Sequence, residues 1–149
     1  MNTNLNNIAR PVSYATTLLA SAARTDTAGT NGDAVHLPDA LHGYQFVLDV
    51  TAAATDVGDT LDVQVQTLID GVNWVPICSF TQCLGNGGAK RHIAKINAGG
   101  TQSMFEAAAA LTAGNTRNLC GDAYRVRWVI VDSSTDNASF TFSVTAMPL

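Results

Sequence analysis

Charge is what this chain has least of. Lysine, arginine, aspartate and glutamate make up 13% of its 149 residues, about half the share of an ordinary globular domain. Threonine, serine, asparagine, glycine and alanine must therefore cover much of the exterior. Such a surface costs little to desolvate, which suits burial against other subunits. The net charge of −4 and the pI near 5.0 exclude nucleic acid as a main partner, because phosphate binding needs concentrated lysine and arginine. The densest basic segment, Lys90, Arg91, His92 and Lys95, is short, follows a glycine-rich turn and reads as a solvated strand face or a salt-bridging rim.

Cysteine is also scarce. Cys78, Cys83 and Cys120 cannot all pair within one chain, and neither a C-x-x-C pair nor a histidine pair at zinc-ligand spacing exists. Two could form a bridge, but reduced, partly buried thiols in a cytoplasmically made protein are the plainer expectation. No apolar run is long enough to cross a membrane. Met1 to Asn7 lacks the basic start and apolar core of a signal peptide, so synthesis as a soluble cytoplasmic product is expected.

Catalytic signatures are missing too. His36, His42 and His92 are scattered, LGNGGAKR lacks the G-x-x-x-x-G-K-[ST] of a phosphate loop, and Asp56–Gly58–Asp59 lacks a full calcium-ligand series. Asp49 and Asp62 could lie on adjacent strands as a carboxylate pair, but two exposed strand residues explain them better. The expectation is a protein that is not an enzyme and has no metal or cofactor.

What the chain has is a two-residue rhythm. Phe46, Leu48 and Val50 fall on one face of a strand, because strand side chains alternate. In TLDVQVQTLID, Leu61, Val63, Val65, Thr67 and Ile69 oppose Asp62, Gln64 and Gln66, the pattern of an antiparallel strand with one wet side. Asp70-Gly71 is a reversal signal, so NWVPICSFT returns as its partner, with Pro76 at an edge or a bulge. Tyr124, Val126, Trp128 and Ile130 share one face, as do Phe140, Phe142 and Val144. The intervening SSTDN reads as a hairpin loop, TDTAGTNGDA as a turn-rich loop, and QSMFEAAAAL as a strand or an irregular connection.

These signals predict an all-β fold, an antiparallel β-sandwich of about seven or eight strands, jelly-roll or immunoglobulin-like. Residues 1–12 form a flexible arm and residues 13–149 a single domain in this reading. Trp128 is in phase with the core, whereas Trp74 suits a core edge or a contact surface equally.

The phrases FVLDVTAAATDVGDTLDVQVQTLIDGVNW, SFTQ and YRVRWVIVDSSTDNASFTFSVTA resemble those of small structural proteins of tailed bacteriophages. Thr17 to Thr25 is similar to their opening segment. The resemblance covers about residues 15 to 146, and the chain departs from it in the longer Gly85–Asn118 region and the asparagine-rich arm. It implies a virion component, above all a capsid decoration, or cement, protein that binds the major capsid protein and other virion subunits, often as a homo-oligomer. A neck or tail protein and a carbohydrate-binding attachment module are the alternatives. On that reading Asn4, Leu5, Ile8 and Arg10 of the arm, Asn31 and Asn86 of the glycine-rich loops, and Trp74 are the candidates for intersubunit contact.

Overall fold

The computed structural model describes residues 15–25, 27–101 and 104–149. Expectations for residues 1–14, including Asn4, Leu5, Ile8 and Arg10, lie outside the described residues. The strands are β1 (Thr16–Thr25), β2 (Thr27–Asn31), β3 (Gly43–Ala52), β4 (Thr60–Leu68), β5 (Trp74–Ser79), β6 (Cys83–Leu84), β7 (Lys90–Asn97), β8 (Asn115–Thr116), β9 (Tyr124–Val131) and β10 (Ser139–Pro148).

They form two antiparallel sheets. One has the order β1-β10-β3-β7, and the other β2-β9-β4-β5-β8 with β6 added on β4. Without the two-residue strands β6 and β8, eight remain, and the first pairs with the last: β1 with β10, β2 with β9, β3 with β7, β4 with β5. That nesting is one long antiparallel ribbon folded over on itself, which is the jelly roll rather than the immunoglobulin arrangement.

The alternating residues make the interior. Phe46, Leu48 and Val50 from β3 and Phe140, Phe142 and Val144 from β10 face Leu61, Val63 and Val65 from β4 and Val126, Trp128 and Ile130 from β9. Burying each such side chain stabilises the fold by about 1.5–3 kcal/mol. Trp128 meets Phe142 edge-on across the two sheets at 6.1 Å, and Tyr44 meets Tyr124 similarly at 5.3 Å. The Tyr44 hydroxyl donates to the Pro38 carbonyl at 2.7 Å and so ties the β2–β3 connection to the core.

Local chemistry sets the turns. In the β4–β5 hairpin, Asp70 Oδ1 accepts from the backbone N–H groups of Val72 and Asn73 at 3.0 and 2.6 Å. Pro76 has no N–H to give, and the β4–β5 register shifts between Val65 and Gln66, opposite Cys78 and Pro76. Gly43 opens β3 at φ 118°, where an added Cβ would lie 1.9 Å from the Ile96 carbonyl oxygen. Only glycine fits there.

Four local expectations are corrected. TDTAGTN is not a loop: its residues Thr27–Asn31 form β2 along β9. SSTDN is not a hairpin loop, because β9 and β10 belong to different sheets and it carries the chain from one to the other. Ile69 does not continue the β4 interior. The strand ends at Leu68, and Ile69 is 42% exposed in the turn. Asp49 and Asp62 are not on adjacent strands, since β3 and β4 lie in opposite sheets. Of QSMFEAAAAL, the described part is irregular, with isolated turns.

Candidate interaction surfaces

The outer side of the β1-β10-β3-β7 sheet is mostly uncharged, with Lys95 and the Asp49–Arg91 pair as the exceptions in its central rows. One cross-strand row reads Thr17, Thr145, Val47, Ile93, the next Met147, Gln45, Lys95, and a third Ser143, Asp49, Arg91. Ile93 is 62% exposed. Arg91 and Asp49 form an ion pair at 2.8 Å, the one salt bridge found among the described residues. The Asp49 carboxylate raises the Arg91 pKa through its hydrogen bond and its charge. Solvent screens an exposed pair of this kind, so it contributes little to stability.

The outer side of the other sheet is polar, charged and partly covered. Arg125 Nε donates to Gln66 Oε1 at 2.8 Å, and its guanidinium stands 4.4 Å from the Trp74 ring centroid. Burial, and then the neighbouring Arg127, lowers the Arg125 pKa. Gln66, on the wet side of β4, is nonetheless buried. Arg117 is buried as well. It donates to the carbonyls of Pro76, Ala109 and Ala110 at 3.2, 2.9 and 3.3 Å, and stacks over Phe105 at 4.3 Å. One cation therefore holds the irregular segment that follows Met104 against β5. Nothing in the local pattern around Arg117 gave this role away.

Connections gather at the two ends of the sandwich. At one end, Ser133 donates through its N–H and hydroxyl to Asp59 Oδ1, both at 2.9 Å, and the Ser134 hydroxyl bonds Asp56 at 2.7 Å and also Asp136. The backbone of Asn86 donates to Ala54 at 2.6 Å, binding the β6–β7 turn into the same end. The hydrogen bond from Ser134 lowers the Asp136 pKa. At the other end, His36 Nδ1 lies 3.0 Å from the Asp122 carbonyl, and the N–H of His42 donates to Leu149 at 2.9 Å.

Charge is sorted by this architecture. Of the eleven described acids, only Asp49 and Asp62 lie within strands, while six of the seven described bases do. The loop ends are thus acidic and the strand-built sides basic. Among the described residues no group of three or more metal-ligating side chains converges.

Cys83 Sγ lies 3.5 Å from His92 Nε2, a pairing hidden in the sequence because it joins β6 to β7 across space. Burial pushes the Cys83 thiol up, and burial together with Lys90 pushes the His92 imidazole down. Both shifts favour the neutral pair over thiolate and imidazolium, the reverse of an activated nucleophile. Cys78, wholly inside, is pushed up to about 12 by burial. All three cysteines are unpaired thiols. The cleft beside His92 holds about 110 Å³, below the several hundred Å³ of a small-molecule site.

The structure does not gather the described candidate contact residues. Asn31 is exposed on β2 opposite Arg127. Asn86 is exposed at the acidic end, in the left-handed conformation at φ 58°. Trp74 is half-buried on the covered outer face, one side of its ring occupied by Arg125.

No family model matches the sequence, and no curated protein matches it. Among solved structures, a chain from the structure of infectious bursal disease virus, Gx strain, is similar with a TM-score of 0.52 and 10% identity over 89% of this chain. The present chain spans 31% of that chain's length. At this identity the likeness is one of fold.

Proposed function

We propose that this chain is a structural subunit of a virus particle, and specifically a capsid decoration protein of a tailed bacteriophage that binds the major capsid shell. The observation that carries the reading is the strand order, an eight-stranded jelly roll whose interior is filled by its own side chains. Jelly rolls recur in viral capsid and lectin domains. The fold likeness to a chain from a virus structure and the phage-like phrases of the sequence favour the capsid over the lectin.

Its chemistry is adhesion. A flat sheet face carrying threonine, serine and a few aliphatics loses little hydration when covered. Copies repeated over a shell add their binding energies, so modest contacts reinforce a large assembly. The arm of residues 1–12 is a second proposed contact with neighbouring subunits, and homo-oligomers are the proposed form. Carbohydrate attachment is disfavoured by Trp74, because the guanidinium of Arg125 already occupies one side of its ring.

Electron microscopy of whole particles from an infected host is the test. Density for this fold in many symmetric copies on the shell is the expected result. A few copies at the portal-to-tail axis would reassign it to the neck or tail, and particles without it would overturn the virion role. Deleting Met1–Arg10 should lower occupancy of the shell, and undiminished occupancy would remove the arm from the contact.

A further inference from the structure

We propose that Asn86 is a self-modifying site. In the native fold the Gly87 backbone nitrogen attacks its side-chain amide and leaves aspartate or isoaspartate, while the fold protects the chain's other Asn-Gly pair, Asn31-Gly32. The inference goes beyond the proposed virion role and does not depend on it.

The chemistry needs only this chain and water. The Gly87 amide nitrogen gives its proton to hydroxide and forms a bond to Asn86 Cγ. The bond from Cγ to the side-chain nitrogen then breaks, and that nitrogen takes a proton from water and leaves as ammonia. A five-membered succinimide ring remains. Water adds to one of the two ring carbonyls and breaks its bond to the ring nitrogen, which recovers a proton. Opening at the side-chain carbonyl gives aspartate. Opening at the main-chain carbonyl gives isoaspartate, in which the backbone runs through the side chain. Nothing is oxidised or reduced. A following glycine favours the attack, because no side chain crowds its nitrogen.

The sequence holds two such pairs and does not tell them apart. Both asparagines are exposed, so access of water does not separate them either. The backbone does. Asn31 is the last residue of β2, opposite Arg127 of β9, and the Gly32 N–H donates to the Val126 carbonyl at 2.8 Å. Turning the Gly32 nitrogen toward the Asn31 side chain breaks that bond and peels β2 from its neighbour. Asn86, by contrast, is the third residue of a turn in which the Gly87 N–H reaches the Leu84 carbonyl at 3.2 Å, the long end of the normal range. Its φ of 58° is that of a type II turn, which takes glycine or asparagine at this position. Rotation about the Asn86 Cα–C bond leaves the Asn86 N–H on the Ala54 carbonyl at 2.6 Å, and Gly87 and Gly88 absorb the change beyond it. The reactive conformation thus costs one weak turn bond at Asn86 and part of a sheet ladder at Asn31.

The product adds a negative charge to the end that already holds Asp56, Asp132 and Asp136. Isoaspartate also lengthens the turn by one backbone carbon. Because neither change reverses unaided, the acidic end records the age of the molecule.

Mass spectrometry tests this on the full chain, held at mildly alkaline pH and physiological temperature and sampled over weeks. After digestion, tandem spectra read the exchange of NH2 for OH at each asparagine. In the folded chain Asn86 should convert at least about tenfold faster than Asn31, as an interstrand bond with its neighbours outweighs one turn bond. In strong denaturant the two sites should react at similar rates, since only local sequence is left. Electron-transfer fragmentation should find isoaspartate among the products at residue 86. Equal native rates, a faster Asn31 or an inert Asn86 would overturn the proposal. So would a preference that survives unchanged in denaturant, which would belong to the sequence and not the fold, or aspartate alone as product, which would mean direct hydrolysis without the ring.

Discussion

The two sheets turn similar sides toward each other and dissimilar sides outward. Inward, both present aliphatic and aromatic side chains in alternation. Outward, one shows an open field of threonine, serine and a few aliphatics, while the other has a buried glutamine, a stacked tryptophan and a segment strapped down by Arg117. The inward sides answer to packing alone, and packing demands the same chemistry of both. The outward sides differ because one is finished within the chain and the other is left uncovered.

The sharpest way to break this comparison is to cut the shared interior from either sheet. Phe142→Ala should cost about 3–5 kcal/mol and Leu61→Ala about 2–5 kcal/mol, since both side chains are 0% exposed. Chemical denaturation reads both. A small loss at one and a large loss at the other would mean that the sheets do not share a core.

Next in size comes the strap. Arg117→Ala should lose about 1–3 kcal/mol and speed amide hydrogen exchange in residues 104–113, because the part-buried carbonyls of Pro76, Ala109 and Ala110 lose their donor. Lys95→Ala on the open face should change stability by no more than about 0.5 kcal/mol. Equal effects would erase the difference between the covered and the uncovered side.

Trp74→Ala should then cost roughly 1 kcal/mol through the lost stacking on Arg125 and some lost burial, again by denaturation. In the isolated chain, Ile93→Ala should cost less, because Ile93 has little to lose until something covers it.

The smallest effect concerns Asp70, whose hydrogen bonds from Asn73 and Val72 hold its carboxyl below its ordinary value. A depressed carboxyl pKa lends stability that is present above the unfolded value and lost as pH falls through the folded one. Asp70→Ala should therefore lower stability slightly near neutrality and flatten its decline below about pH 4. A pH series of denaturation midpoints for both proteins reads this, and an unchanged acid limb would deny those bonds a role in the hairpin.

The inward sides were legible in the sequence because burial writes itself as period two along β3, β4, β9 and β10. β2 was hidden because its small, mostly exposed residues show no apolar alternation, and only pairing with β9 makes TAGTN a strand. The role of Ser133 and Ser134 was misread for another reason. Turn chemistry signals that the chain reverses, but not whether the next strand rejoins the same sheet. Arg117 and the Cys83–His92 pair depend on contacts between segments separated along the sequence or lacking periodicity, so no local pattern announces them. Legibility thus stopped where the outward sides began.

The pairing of β1 with β10 has one more consequence. Thr16 lies opposite Ala146, so the four-stranded sheet has no complete form until β10 has emerged from the ribosome. Such sequence-distant partners make for slow folding, typically milliseconds to seconds in β-rich domains. During synthesis β3 must wait for the strand that separates it from β1, with its aliphatic residues exposed to strangers in the meantime.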